Sequence, residues 1–307
     1  MKQAATFLSL MACASLLAAY GVRPDWATAL TIFPAGVWLV FSLPAVFAWR
    51  SRSGLLTLVA WAGFGFVHVE ETRSLARSAL PPPRPPAPDS DIRVATLNGS
   101  TSLEAIDAAL KHDPEILLLQ ESPGQRELET LLAAYPQYTC SFWFDTSILT
   151  RGRILEETKK RFYTGARIQV SSRELFVVSL RLATSDPRID LWNPACWQGQ
   201  GRMRARQLRE MSEIVAILPP DQPTVIGGDF NVPQGDKVFS LLRPRLVDTF
   251  AAAGRGWGNT FLSDVPVLRI DQIWTSRHFK ATATETRAVP ETDHRMYTAT
   301  IRFVDSP

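Results

Sequence analysis

The chain has 307 residues, enough for one large domain or two small ones, and its 46% hydrophobic content is unevenly spread. Its formal charge is +3, yet residues 1–90 hold 7 of the 33 Lys and Arg and 4 of the 30 Asp and Glu, leaving 26 of each beyond. The remainder is formally neutral, which argues against a dedicated duplex-DNA binder, because phosphate backbones are met by a basic excess.

Three apolar runs open the chain: Ala4–Val22, Ala27–Trp49 and Gly54–Val69. The first two, at 19 and 23 residues, meet the length of about 20 residues that crosses a hydrocarbon core. The third has 16 residues and contains His68, so it spans a thin bilayer or lies in its interface. Residues 1–78 therefore read as a membrane anchor of three transmembrane helices. The first run also fits a secretory signal with Lys2 as its basic end, and cleavage after it leaves the C-terminal domain on the same side. The short RSRS connection at 50–53 favours an inside N-terminus, against the votes of Arg73 and Arg77. The expectation is a multi-pass protein of the cell (inner) membrane with an extracytoplasmic C-terminal domain. A Pro-rich linker follows at 79–91, with six prolines between 81 and 88. Polyproline II geometry, at about 3.1 Å per residue, makes it a spacer of roughly 25 Å.

From residue 92 to 307 strand-like and helix-like segments alternate. IRVATL (92–97) is β-rich and ends at Asn98; SLEAIDAALKH (102–112) has helical apolar spacing; EILLLQ (115–120) is a continuous apolar strand ending at Glu121. QRELETLLAAY (125–135) predicts a helix, SFWFDTSILTRGRI and ELFVVSLRL sheet, and residues 201–218 a long helix. TVIGGDF, RIDQIWTS (269–276) and MYTATIRFV (296–304) are further strands, with a short helical stretch near 236–242. Strands apolar on both faces and bordered by helices predict sheets inside and helices outside. There is no internal repeat and no Walker-type phosphate loop. Cys140 and Cys196 are either a disulfide or two free thiols, and Cys13 lies in the first apolar run.

Polar residues recur near strand ends: Asn98, Glu121, Asp229 with Asn231, Asp271, and Asp293 with His294. In VIGGDFNVPQGD (225–236), Asp229 and Asn231 stand two apart and share a face if the strand continues, or they close it as an Asx turn. Carboxylates, amides and an imidazole gathered in this way are the groups for a divalent-metal phosphoester site, since hard cations take oxygen ligands. For Asp271 alone the competing reading is an ion pair with Arg269.

In order, ATLNGS, LLLQES, GGDFNVP, RIDQIW and TDHR resemble the motifs of the endonuclease/exonuclease/phosphatase superfamily. That group includes pancreatic deoxyribonuclease, apurinic-site endonucleases, inositol-polyphosphate phosphatases and neutral sphingomyelinases. The resemblance spans residues 92–304 and implies a four-layer α/β/β/α sandwich of the DNase I-like type. It implies Glu121 as principal metal ligand, with Asn98 orienting or ligating, and Asp293 beside a Mg2+ ion, or Mn2+ in its place. Asp229 would deprotonate the attacking water, Asn231 would hold water or phosphate, and His294, oriented by Asp271, would donate to a phosphate oxygen. Arg181 stands where many relatives carry a histidine and would bind phosphate without shuttling a proton. Ser100 stands where some nuclease relatives carry an acid.

The overall organisation resembles bacterial membrane-anchored members with an extracytoplasmic catalytic domain. This implies a metal-dependent phosphoesterase acting on a lipid-linked phosphate or diphosphate, with an extracytoplasmic nuclease and a catalytically weak binding protein as alternatives. The segment DLWNPACWQGQGRMRAR (190–206) reads as a loop whose Trp192 and Trp197, with Arg202, Arg204 and Arg206, either meet a lipid headgroup or pack on the sandwich edge.

Overall fold

Strand alternation explains how continuous apolar runs are buried here. In Ile116–Gln120, Ile116 and Leu118 enter the core between two sheets, while Leu117 and Leu119 pack beneath helices on the outside. The computed structural model describes residues 2–81, 91–170, 172–185 and 187–304. Most of the Pro-rich linker, 82–90, lies outside the described residues.

The C-terminal domain contains β1 (Asp91–Asn98), β2 (Ile116–Gln120), β3 (Thr139–Trp143), β4 (Thr146–Thr150), β5 (Arg153–Lys160) and β6 (Tyr163–Val170). It continues with β7 (Arg173–Arg181), β8 (Thr224–Asp229), β9 (Leu246–Asp248), β10 (Asp271–Ser276), β11 (Phe279–Ala288) and β12 (Arg295–Phe303). One sheet has the order β11-β12-β1-β2-β4-β3 and the other β5-β6-β7-β8-β10-β9. Among the described residues only the β1–β2 and β7–β8 pairs are parallel. β6 and the polar edge strand β11 are additions to the elements expected above.

The helices are α1 (Lys2–Val22), α2 (Thr28–Thr31), α3 (Leu43–Phe47), α4 (Arg52–His68), α5 (Glu70–Ser78), α6 (Leu103–Lys111), α7 (Gln125–Leu132), α8 (Pro194–Ile217) and α9 (Thr249–Ala253). The Ser102 hydroxyl accepts from Ala105 N to start α6, whose Ile106 and Leu110 face the first sheet. Met211 and Ile214 of α8 pack on the second sheet. Helix, sheet, sheet and helix form the four-layer α/β/β/α sandwich expected from the sequence. Helix α8 begins at Pro194 rather than near 201, because Pro suits the first helical turn and Asn193 caps it, accepting from Ala195 N. Trp197 thus lies on a helix, and Trp192 is the exposed residue before it. All three cysteines are free thiols.

The first run forms one helix long and apolar enough to cross a membrane, Gln3–Val22. The second is not one straight span. Pro34 disfavours helix in the residue before it and supplies no N–H, so Asp25–Thr31 and Ala35–Phe47 meet at a 75° bend. The third bends by 78° between Arg52–His68 and Glu70–Ser78, so three spans are reached only if each bent pair counts as one. Cys13, Leu16, Tyr20, Trp61 and Phe64 form the centre of this helical cluster, while Phe7, Leu8, Phe47, Leu56 and Phe66 point outward.

The helical cluster packs directly on the sandwich. Arg204 of α8 is buried and bonds Arg23 O, Thr31 Oγ1 and Asp236 Oδ2 at 3.1, 3.0 and 2.5 Å. Arg269 is equally buried, gripping Glu70 of α5 (2.8 Å) and Asp248 (2.6 Å). Its partner is therefore not Asp271, and the ion-pair reading of Asp271 falls.

Two glycines in β8 let the layers close. A Cβ on Gly227 would lie 2.8 Å from Leu118 Cδ1 of the opposite sheet, and one on Gly228 would lie 1.9 Å from Leu180 O. Gly228 also has φ of +151°, a conformation that side chains resist. Gly228→Ala should destabilise the chain by about 3 kcal/mol through strain and overpacking, read from the shift in thermal unfolding midpoint. A midpoint equal to the parent's would contradict the close approach of β7 and β8.

Candidate active site

At one end of the sandwich the facing surfaces of both sheets change from apolar to polar. Val94 and Leu118 of the core give way to Thr96, Asn98 and Gln120, all buried. Thr96 Oγ1 donates to Gln120 Oε1 (3.1 Å), and Gln120 Nε2 donates to Ser179 Oγ on the other sheet (3.0 Å). This cross-sheet bridge holds the two sheet ends together beneath the site.

Topology then delivers the charged groups. The parallel pairs present their C-terminal ends here: Asn98 from β1, Glu121 after β2, Arg181 from β7 and Asp229 from β8. The antiparallel strands present their beginnings: Asp145 before β4, Asp271 at the start of β10, and Asp293 with His294 before β12. Asp229 and Asp271 are direct cross-strand partners.

Asp229 is buried and heavily bonded. Its Oδ1 accepts from Asn231 N (2.9 Å), and its Oδ2 accepts from Asn98 Nδ2 (3.1 Å) and Asn231 Nδ2 (3.0 Å). β8 stops at Asp229, and Asn231 is left-handed at φ 51°, so the pair converges by a turn rather than by strand alternation. The Asx turn and the convergent pair are one feature. Asn231 also donates to Leu182 O (3.0 Å), so both of its amide hydrogens serve to hold the backbone and Asp229. Burial, followed by the charge of Asp271, raises the Asp229 carboxyl to about 6 against the opposing effect of His294.

His294 is buried against the Phe261 ring, and its Nδ1 lies 2.8 Å from Asp271 Oδ2. Burial opposes its charge, but Asp271 outweighs burial and raises the imidazole to about 10. Its Nε2 is left facing Asp293, at 3.9 Å from Oδ1. Asp293 is the exposed member, 3.4 Å from Ser100 Oγ, which also meets Thr292 Oγ1 at 3.1 Å.

Glu121 has φ of +46°, a strained setting for a non-glycine residue of the kind found at functional sites. Its Oε1 accepts from Asn98 Nδ2 (3.0 Å) and Arg181 Nη2 (2.7 Å). Arg181 Nη1 donates to Asp145 Oδ2 (3.0 Å), so the guanidinium clamps two carboxylates. Burial works against that cation, but Glu121 and Asp145 outweigh it. Asp145 was not among the residues expected from sequence. It sits in the β3–β4 turn of SFWFDTS, where polar residues signal only a hairpin.

Five carboxylates (Glu121, Asp145, Asp229, Asp271 and Asp293) thus face two cations, Arg181 and His294. Asp145 Oδ1 and Asp271 Oδ1 are buried with no hydrogen-bond partner among the described residues. Ligand atoms of Asp229, Asp271 and His294 lie within 4.8 Å of one another. An oxygen-rich, negatively charged site with orphaned carboxylate oxygens fits a hard divalent cation.

The site thus lies at the strand ends of a four-layer α/β/β/α sandwich. A family profile described as Endonuclease/Exonuclease/phosphatase family matches residues 95–294, and the chain belongs to that family. Family members are generally hydrolases of phosphoester bonds that typically use divalent metals. No curated protein sequence matches the chain. Among solved structures it is similar to an endonuclease/exonuclease/phosphatase from Beutenbergia cavernae (16% identity, TM-score 0.56, covering 71% of this chain and 73% of that one). A family protein from Bacteroides vulgatus is 18% identical, with TM-score 0.52, covering 70% of this chain and all (100%) of that one. D. rerio TDP2 complexed with single strand DNA product is 17% identical, with TM-score 0.53, covering 70% and 100% respectively.

Proposed function

We propose that the protein is a membrane-anchored, divalent-metal-dependent phosphoesterase acting on a lipid-linked phosphate or diphosphate. The observation that carries the chemistry is the convergence of five carboxylates and one clamped imidazole on a single sandwich end. Support for the anchor comes from the Gln3–Val22 helix and the outward apolar side chains of the helical cluster. We read the domain as residues 92–307, extracytoplasmic, behind the anchor of residues 1–78, in the inner membrane.

Glu121, Asp145 and Asp293 would hold a Mg2+ or Mn2+ ion, which supplies charge stabilisation to the phosphate oxygens. Asn98 spends Nδ2 on Glu121 and Asp229, and its Oδ1 accepts from Ser100 N, so it orients the carboxylates. Asp229, held by Asn98 and Asn231, takes the proton of the attacking water. His294 keeps Nδ1 on Asp271 and donates from Nε2 to a phosphate oxygen as charge develops. Arg181 fixes Glu121 and Asp145 before phosphate arrives. His294→Ala should therefore lower turnover about 100-fold, the scale of one donor lost from the transition state, as initial rates of a folded variant would register.

The nuclease reading is favoured by one observation, the shared fold with TDP2 complexed with single strand DNA product. Against it stands the neutral charge of the domain, with 26 basic and 26 acidic residues beyond residue 90. The test offers the purified full chain a polyprenyl diphosphate, a phospholipid, a generic phosphodiester, and single-stranded and duplex DNA. Release from the lipid-linked substrate, abolished by EDTA and restored by Mg2+ or Mn2+, is expected. Cleavage of DNA alone would transfer the assignment to a nuclease. Release that survives EDTA would contradict the metal.

A further inference from the structure

A cavity of about 580 Å³ lies where the helical cluster meets the outer face of the second sheet. That volume is within the range of about 300–1,000 Å³ typical of ligand sites. None of Asn98, Glu121, Asp229, Asp271 and His294 lines it; Trp274 of β10 and Leu246, Val247 and Asp248 of β9 are its contacts with the sheet. Arg23, Arg73, Lys237, Arg243 and Arg269 line it, against the carboxylates of Glu70 and Asp248, and both of those are taken by Arg269. Lys237 reaches Asp25, whereas Arg23, Arg73 and Arg243 have no ion-pair partner among the described residues. Arg23 spends Nε and Nη2 on the carbonyls of Tyr20 and Gln234, and its Nη1 is buried without a partner among the described residues. An arginine that stays charged and half-satisfied, beside two more unpaired arginines, is a site lacking its anion.

Position identifies the source of that anion. Arg23 follows directly on Val22, the last residue of the one helix among the described residues that is by itself long and apolar enough to cross a membrane, and Tyr20, Gly21 and Val22 form part of the cavity wall. The end of a spanning helix lies at headgroup depth, where anionic lipids attract Lys and Arg. We propose that this cavity binds the phosphate-bearing headgroup of an anionic membrane phospholipid, bridging the anchor and the catalytic domain. The inference rests on the membrane-anchored reading but not on the catalytic one. The same bound lipid would hold the sandwich at a set angle to the bilayer, because Arg23 and Arg73 belong to the anchor and Arg243 to the domain.

The test compares the full chain with the Arg73→Gln/Arg243→Gln variant, which removes two exposed side chains that make no ion pair among the described residues. Both proteins are exchanged into nanodiscs of phosphatidylcholine with or without phosphatidylglycerol, and retained lipid is counted by native mass spectrometry after delipidation. The parent should retain phosphatidylglycerol in preference to phosphatidylcholine. The variant should lose about 25-fold in that preference, from roughly fivefold for each of the two cations removed near a membrane surface. Equal retention of both lipids by the parent, or an unchanged preference in a folded variant, overturns the proposal. Protection against unfolding by inorganic phosphate, without any phosphatidylglycerol preference, replaces the lipid with a soluble anion and overturns it as well. Failure to enter either nanodisc overturns the anchor reading itself, and the lipid with it; turnover measured in parallel separates both results from the catalytic assignment.

Discussion

Asp229→Asn is expected to lower turnover by 100-fold or more while leaving the domain folded, since removing a positioned proton acceptor costs on the order of 10² to 10⁴ in rate. The substitution keeps the shape and removes the charge. Burial and Asp271 already disfavour that charge, so the folded state loses little when it goes. What the variant loses is an acceptor oxygen pair held by three N–H donors, from Asn98 Nδ2 and from Asn231 N and Nδ2. An asparagine there turns an NH2 group towards some of those donors, so a modest decrease in stability is expected, by about 1 kcal/mol. The measurement pairs initial rates on the preferred phosphoester with circular dichroism. Near-normal turnover in a folded Asp229→Asn protein would remove Asp229 from the chemistry and leave its hydrogen bonds as a turn.

Arg269→Leu is expected to have the largest effect on stability. Its guanidinium is buried between Glu70 and Asp248, bonding Glu70 at 2.8 and 3.0 Å and Asp248 at 2.6 and 3.3 Å. The Phe250 ring lies 5.0 Å from it. Removing the cation leaves two buried carboxylates facing each other, a loss of about 3–5 kcal/mol, equivalent to a fall of roughly 10 °C in melting temperature for a domain of this size. Converting all three residues, as Glu70→Leu, Arg269→Leu and Asp248→Asn, should recover most of that loss, because a buried ion pair adds little over apolar packing once its charges are gone together. Asparagine at 248 keeps the cap on α9, where Asp248 accepts from Phe250 N at 2.9 Å. If the single and triple variants melt alike, the triad is not what joins the anchor to the domain.

Much of the fold could be read directly from the chain. The continuous run ILLLQ demands burial on two faces, and only a strand between a second sheet and a helix layer provides that. SLEAIDAALK carries its cap and its apolar stripe within ten letters. By contrast, β11 (FKATATETRA) lies at a sheet edge with most of its residues partly or fully exposed, so it has no apolar pattern to announce it. Asp145 was hidden for a related reason: a carboxylate in a hairpin looks the same whether it caps a turn or receives an arginine from β7.

The sequence by itself determined the class of fold and the order in which Asn98, Glu121, Asp229, Asp271 and His294 fall near strand ends, since each of these depends on residues within a few positions of one another. It also determined that the first apolar run is helical and long enough to span a membrane. Only the tertiary structure decided what each charge faces. Arg269 stands two residues from Asp271 yet reaches Glu70, 199 positions away, because it lies before β10 begins at Asp271 and packing brings distant side chains together. Arg204 likewise belongs to the join with Arg23, Thr31 and Asp236 rather than to the surface of its helix. Ion pairs and cavities at the junction of two folded units depend on the coordinates of both, and no local pattern in either contains them.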